Sequence, residues 1–334
     1  GVSKATPPKG RDAAALAAWV RTIGGTARLE DGFVSLRGVP LQEAAVAALA
    51  RIPGLRVLDL EATDLGDAAM SVLASIGTLE ELTLNSTQVT DAGLATLGGL
   101  LRLKKLRVDN TYVEGAGFTK WPSGAVLEEL HAQGAPVNDS AMTGVARLRQ
   151  LRKLVLAESD VTGAGLAALT TLPLRELDLS AADVGDDAPL DQFAGLRVLG
   201  LRDTRISDLT LAKKLKALTQ LESLDLARTR ISNAGMDGIS GLRGLRSLDL
   251  SYAELDDAGL AKLSGLTALE SLNLDSTHIT DAGVSLLGEF GRLKELDLYH
   301  SLLTGQGLTK LRAALPGTRE IWDKESGMPH RRRA

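Results

Sequence analysis

The stretch "LNSTQVTDAGLATL" at residues 84–97 returns almost unchanged as "LDSTHITDAGVSLL" at residues 274–287. Two near copies so far apart are the mark of a unit written many times, so the surrounding chain should carry further copies in the same phase. It does. Runs of the form LxxLxL begin at Leu55, Leu79, Leu103, Leu127, Leu151, Leu174, Leu196, Leu221, Leu245, Leu269 and Leu293. The interval is 24 residues; it shortens to 23 and 22 between Leu151 and Leu196 and extends to 25 after Leu196.

Counting each starting leucine as position 1, the columns predict a local structure. Positions 1, 4 and 6 (Leu79, Leu82, Leu84) belong to a short strand whose alternate residues turn inward, and position 11 (Val89, Ile231, Ile279) carries the apolar column through a turn. Positions 16 and 19 (Leu94 and Leu97, Leu260 and Leu263) lie three apart, the spacing of one helix face. A unit of strand, turn and helix cannot bury its apolar face alone. Stacked units can, with a parallel sheet on one side and helices on the other.

Position 13 holds Asp67, Asp91, Gly115, Asp139, Gly163, Asp186, Asp208, Asn233, Asp257, Asp281 and Gly305. Only Asp, Asn and Gly occur, so these carboxylates read as helix N-caps rather than catalytic groups, and the neighbouring Thr90, Ser207, Ser232 and Thr280 have the same capacity. Gly93, Gly165, Gly259 and Gly283, two places on, read as points of close approach between coils. Thr87, Thr204, Thr229 and Thr277 at position 9 are expected to bond the turn backbone as a ladder.

The pattern LxxLxLxxTxVTDAGLxxL resembles the leucine-rich repeat family, in a bacterial form similar to its cysteine-containing subtype with threonine in place of cysteine. The resemblance covers residues 32–322. It implies an α/β leucine-rich repeat solenoid, a curved right-handed superhelix with a parallel sheet on the concave face and short helices on the convex face. It also implies a scaffold for binding protein. Departures fall at Trp121 and Pro122 and at Pro189, where irregular chain is expected in place of a helix.

The expected organisation is a flexible segment 1–10, an N-terminal cap with a degenerate first repeat over 11–54, eleven repeats over 55–316, and a C-terminal cap strand with basic tail over 317–334. In the first cap, "DAAALAAWVRTI" (12–23) reads as a helix carrying Trp19, followed by "TARLE" and "GFVSLRG" as a hairpin turning at Asp31 and Gly32. In the last, "GTREIWDKE" (317–325) reads as a partial strand with Trp322 as a lid. The "HRRR" of 330–333 reads as a solvated tail. The chain begins at Gly1 without methionine or an apolar leader, and the expected setting is extracytoplasmic or secreted and bacterial.

Aromatic residues make up only 3% of a chain that is 44% hydrophobic, which points to one small set of aliphatic shapes used repeatedly. The net charge of -4, with both signs interspersed, offers nucleic acid no sustained positive field. With no cysteine, thiolate chemistry and disulfides are excluded. The four histidines, His131, His278, His300 and His330, fall far apart in the repeat register, and no phosphate-loop or dinucleotide motif occurs. The expectation is a non-enzyme without cofactor or metal.

The outward sheet positions are 2, 3, 5, 7 and 8. Positions 2 and 3 alternate in sign over Glu80 and Glu81, Lys104 and Lys105, Glu128 and Glu129, Arg152 and Lys153, a charge ladder between parallel strands. At position 5, Asp225, Asp249 and Asp297 surround Asn273, with Asp275 at position 7. That row reads either as repeat background or as an acidic groove for a basic segment. Arg107, Asp109, His131, Gln133 and Arg202 depart from the column pattern, and Tyr252 and Tyr299 are aromatic candidates on the same face. These eleven residues form the candidate partner surface. The expected function is a monomeric, non-catalytic scaffold binding a protein or peptide partner on the concave sheet, with a glycan less favoured and no membrane insertion. The alternatives are a spacer or assembly element without a discrete ligand, or an effector adaptor recruiting a separate enzyme.

Overall fold

The computed structural model describes residues 5–324; the 330–333 run and His330 lie outside the described residues. The chain divides into two compact units between Leu174 and Arg175.

The first unit opens with the helix Ala13–Thr22, whose first turn is capped by the Asp12 carboxylate accepting the Ala15 N–H at 3.1 Å. Leu16, Ala17, Trp19 and Val20 form its buried face, and the Trp19 indole N–H donates to the Ala5 carbonyl at 3.0 Å. Strands β1 (Thr26–Arg28) and β2 (Phe33–Ser35) form an antiparallel hairpin, with Gly32 in the left-handed region at φ 63. From β2 onward pairing is parallel: β3 (Val57–Asp59), β4 (Glu81–Thr83), β5 (Lys105–Arg107), β6 (Glu129–His131) and β7 (Lys153–Val155) align same position to same position. The second unit continues this scheme with β8 (Glu176–Asp178), β9 (Val198–Gly200), β10 (Ser223–Asp225), β11 (Ser247–Asp249), β12 (Ser271–Asn273), β13 (Glu295–Asp297) and β14 (Arg319–Ile321).

The inward columns are the core. Leu79, Leu82, Leu84, Val89, Leu94 and Leu97 are all buried, and the equivalents of positions 1, 4, 6 and 11 are buried from coil to coil. Each such leucine contributes on the order of 2 kcal/mol by leaving water, and the burial is complete only because a neighbouring coil covers it. The return segments are α-helical in some coils (Asp67–Ala74, Asp91–Thr96, Asp257–Ala261) and 3-10 in others (Ala116–Lys120, Met236–Gly238). So few residues are left for the return that the tighter i to i+3 winding competes with the α-helix.

Three expectations change. Position 13 is not the N-cap; position 12 is. Thr90 caps the helix Asp91–Thr96 by accepting the Ala92 N–H, and Thr162, Ser207 and Thr280 act alike. The aspartate, as first residue of its own helix, points at the next coil instead. Asp67 accepts the Thr90 N–H at 2.8 Å and the Thr90 hydroxyl at 2.6 Å, and the same pair of bonds links Asp139 to Thr162, Asp208 to Ser232, Asp257 to Thr280 and Asp281 to Thr304. The carboxylate thereby fixes the cap of the following helix. The position 9 hydroxyls do bond turn backbone, but each within its own coil: Thr87 donates to Leu84 O and Thr277 to Leu274 O, both at 2.6 Å, so they form no ladder.

The third change concerns the departures. Before Pro122 the chain forms the 3-10 turn Ala116–Lys120, and Trp121 fills the position 19 slot, buried, with its indole N–H on Leu94 O at 2.8 Å and its ring edge-on to Phe118. A large ring can take that slot because Gly98 leaves it room: a Cβ there would stand 3.0 Å from the indole. After Pro189 the turn Leu190–Gln192 is again 3-10. The backbone carbonyls released there are met by Lys214 of the next coil, whose ammonium donates to Asp186 O and Ala188 O at 2.7 and 2.6 Å.

Candidate functional site

The outward sheet positions separate into two groups, one in each unit. In the first unit, Arg107, His131 and Val155 stand side by side on β5, β6 and β7. Arg107 is exposed, whereas His131 is only 9% exposed. Its row neighbours are a long arginine and a branched valine, and the shorter imidazole sinks between them. Asp109 is also committed within the fold: its carboxylate accepts the Gln133 N–H at 2.8 Å, while its own N–H donates to Asn85 at 2.9 Å. Burial pushes its carboxyl above the ordinary value, although the Gln133 bond and nearby Arg107 oppose that shift. Gln133 extends the row sideways, donating to Glu158 at 2.9 Å. The charge ladder stands beside this group, with Lys104 on Glu80 at 3.7 Å and Lys105 between Glu81 at 3.6 Å and Glu129 at 3.7 Å. Each of these exposed pairs is worth about 0.2 to 1 kcal/mol.

In the second unit, strand register sets Asp225, Asp249, Asn273 and Asp297 in one row across β10 to β13. Parallel strands lie about 4.8 Å apart, so three carboxylates fall within about 15 Å. Each has a local task. Asp225 accepts the Ala227 N–H, Asp249 that of Ser251, Asn273 that of Asp275 and Asp297 that of Tyr299, all at 2.8–3.0 Å. This i to i+2 bond ends each of these four strands at the same place and explains why an Asx residue recurs in the row.

Arg202 reaches into this row from the coil before. Its Nε donates to Asp225 at 3.0 Å and its Nη2 to Asp249 at 2.8 Å, so one guanidinium spans two rungs. On the β9 rung Gly200 yields its space to the coil before: a Cβ there would lie 2.4 Å from the Asp178 carboxylate. The half of the row that reads as uniformly acidic in sequence is thus partly neutralised. Burial nonetheless raises the Asp225 carboxyl, and the neighbouring Asp249 charge adds to it against Arg202. Asp297 is raised too, by burial first and then by the charges of Asp275, Asp249 and Glu295. At this far end the charge is open. Asp275 meets the His300 ring at 3.3 Å, Tyr299 lies against His300 with ring centroids 3.8 Å apart, and Arg228 covers the Tyr252 ring at 3.9 Å. Tyr252 and Tyr299 are 44% and 36% exposed, enough for each to present a ring face.

Arg228 and His300 were missed in the sequence. Both occupy position 8, where the backbone is left-handed in every coil: Ala62, Ser86, Asn110, Glu158, Ala181, Asp203, Arg228, Tyr252, Ser276 and His300 have φ of 53–65, and Gly134 has φ 65. That conformation turns the side chain out over the row. The signal was present, since no β-branched residue occurs in this column.

Among the described residues no group of acidic and histidine side chains could hold a metal ion, and no helix is long and apolar enough to cross a membrane. Residues 219–279 match the sequence profile of the leucine rich repeat family. The fold is that of a leucine-rich repeat solenoid. The likeness to solved leucine-rich repeat structures extends across most of the chain. An internalin from Listeria monocytogenes is 20% identical with a TM-score of 0.66, covering 89% of this chain and 84% of the internalin. A leucine-rich repeat protein of Leptospira interrogans is 16% identical with a TM-score of 0.53, covering 82% and 80% respectively. The TLR13–ssRNA13 complex contains a chain 20% identical with a TM-score of 0.51, covering 90% of this chain and 43% of that one. At these identities the likeness is one of leucine-rich repeat fold. A search of curated proteins finds no match.

Proposed function

We propose that this leucine-rich repeat chain is a non-catalytic scaffold that binds a protein or peptide partner on the outward sheet face of its second unit, and that the partner presents a basic segment there. The observation that carries the reading is the alignment of Asp225, Asp249 and Asp297 in one row with two exposed tyrosines beside it. Acidic groups on a regular row attract lysine or arginine over a distance, and tyrosine faces hold their aliphatic stems and cationic heads. Arg202 already occupies the Asp225 end, so the partner's first cation belongs at the Asp275 and Asp297 end, between Tyr252 and Tyr299. Arg107 and Gln133 of the first unit are left as secondary contacts; His131 and Asp109 are structural.

A labelled oligo-arginine peptide, with oligo-glutamate as control, tests this by fluorescence anisotropy. Oligo-arginine is expected to bind in low salt and weaken as salt rises, while oligo-glutamate does not bind. Changing Asp225, Asp249 and Asp297 together to asparagine should weaken it about tenfold, with circular dichroism unchanged. Equal affinity and equal salt dependence in the folded triple variant would return those aspartates to their strand-ending role alone.

A further inference from the structure

The first unit carries a second surface that the proposed partner face does not use. Because β2 to β7 run parallel and in register, every turn entering a strand lies along one edge of that sheet and every turn leaving a strand lies along the other. From β5 to β7 the exposed charges of the two edges are opposite in sign, with half-buried Glu128 among the bases of the entering edge; beside β2 they are mixed, with Glu30 and Asp31 on the entering turn and Arg37 on the leaving one. The entering edge exposes Arg56, Arg102, Lys104, Arg147, Arg149 and Arg152. The leaving edge exposes Asp64, Glu114, Glu158 and Asp160. Each edge also holds one large apolar side chain turned to solvent. Leu101, 62% exposed, sits among the arginines, and Tyr112, 63% exposed, sits among the acids. They are the only large hydrophobic side chains this exposed among the described residues of the first unit. An apolar centre inside a charged rim is the anatomy of a docking surface.

The spacing says what docks. Leu101 and Arg149 occupy the same position, 23, two coils apart; Tyr112 and Asp160 occupy position 10, also two coils apart. Arg102 follows Leu101 directly, and Glu114 follows Tyr112 by two. Leu101 and Arg102 enter β5 and Tyr112 and Glu114 leave it, while Arg149 enters β7 and Asp160 leaves it, so a second copy lying alongside with its coils parallel and in register brings Leu101 to Tyr112, Arg102 to Glu114 and Arg149 to Asp160 together. The pairs repeat at the same interval of about 10 Å on both edges because both edges are set by the same strand spacing. We infer that the Leu101 edge of the first unit docks on the Tyr112 edge of a second copy of this chain, in a side-by-side contact that uses two different surfaces. Such a contact leaves a free edge on each outer copy, so it extends rather than closes. It is independent of the acidic row in the second unit.

Sedimentation velocity on the full chain tests the inference. In low salt the wild type should associate reversibly as concentration rises, and high salt should reverse this. Leu101→Glu, which sets an acid against the acidic edge, and Tyr112→Ser, which removes the ring, should each stay monomeric with an unchanged circular dichroism spectrum. Mixed in equal amounts, they should form a species of dimer mass and nothing larger, because each supplies one intact edge to the other. A wild type that remains monomeric in low salt, association that persists in both variants, or a mixture that remains monomeric would each overturn it. So would binding of polyaspartate to the Leu101 edge by a chain that never self-associates, which would assign that edge to an acidic partner instead.

Discussion

Position 8 shows how much a single residue is asked to bear. Outside glycine the left-handed region costs about 1–2 kcal/mol, yet ten side chains accept it. They are tied to the next coil: the Ala62 N–H donates to Asn85 O and the Tyr252 N–H to Asp275 O, both at 2.9 Å. Ala62→Gly should therefore relieve strain. Because glycine loses about 0.5–1 kcal/mol more chain entropy on folding, the net gain is expected to be about 0.5 kcal/mol. Ala62→Val puts a branched side chain into the same region and should cost at least about 1 kcal/mol. Thermal unfolding of the pair measures the difference, and a valine variant as stable as the glycine variant would contradict the strain. Asp297 sets a test in pH. Burial and three acidic neighbours hold its folded-state carboxyl above the ordinary value of 3.8, so its burial favours folding in acid and that contribution is lost as pH rises through the folded value. Asp297→Asn, whose side-chain oxygen can still accept the Tyr299 N–H, should raise stability at neutral pH by a fraction of a kcal/mol. The advantage should vanish in acid buffer, where the aspartate is neutral as well. An advantage independent of pH would mean that charge is not the cause.

Between elements, the joint is made by positions 12, 13 and 15. The Asp67 carboxylate that fixes the cap of the next helix also lies where a side chain on Gly93 would stand: a Cβ there would be 2.3 Å from Asp67 Oδ1 and 2.8 Å from Met70 Cγ. Gly165, Gly235, Gly259, Gly283 and Gly307 face the Asp or Asn of the preceding coil in the same way. Gly93→Ala is therefore expected to cost about 1–3 kcal/mol through overpacking. In an Asp67→Ala background the same change should cost less, with a coupling of roughly 0.5 kcal/mol or more. Strictly additive effects in denaturant unfolding would show that the two residues do not share a joint. The glycine half was legible in sequence as a need for close approach. The aspartate half was misread as a cap, because within one coil Asp91 does stand at a helix start; its true partner is 24 residues away, and a single unit contains only half of the bond.

At the scale of the chain, the period and the buried columns were readable because burial repeats with the same phase in every coil, and leucine at positions 1, 4 and 6 states it directly. The strand-ending aspartates were readable only in part. Their recurrence was visible in Asp225, Asp249 and Asp297, but not that Arg202 would cross to both Asp225 and Asp249, at separations of 23 and 47 residues. A side chain that reaches across rungs leaves no mark in the column where it lands. The same reasoning covers Trp121: its position 19 placement follows from the register, but the slot that admits an indole is made by Gly98 in the coil before.

The joint of positions 12, 13 and 15 has a consequence for inheritance. Each coil offers the same receiving half to the coil before it and the same giving half to the coil after. Were the block from Leu245 to Ala268 lost, Asn233, which now faces Asp256 and Gly259, would face Thr280 and Gly283, and these bring the same kinds of group to the same places. Length is then a trait that can change by duplication or deletion of one whole block, with no new surface to invent. Substitution at the joint is far more tightly policed, since a change there is felt by the adjoining coil. The near copies at residues 84–97 and 274–287 are the kind of text that such a grammar preserves.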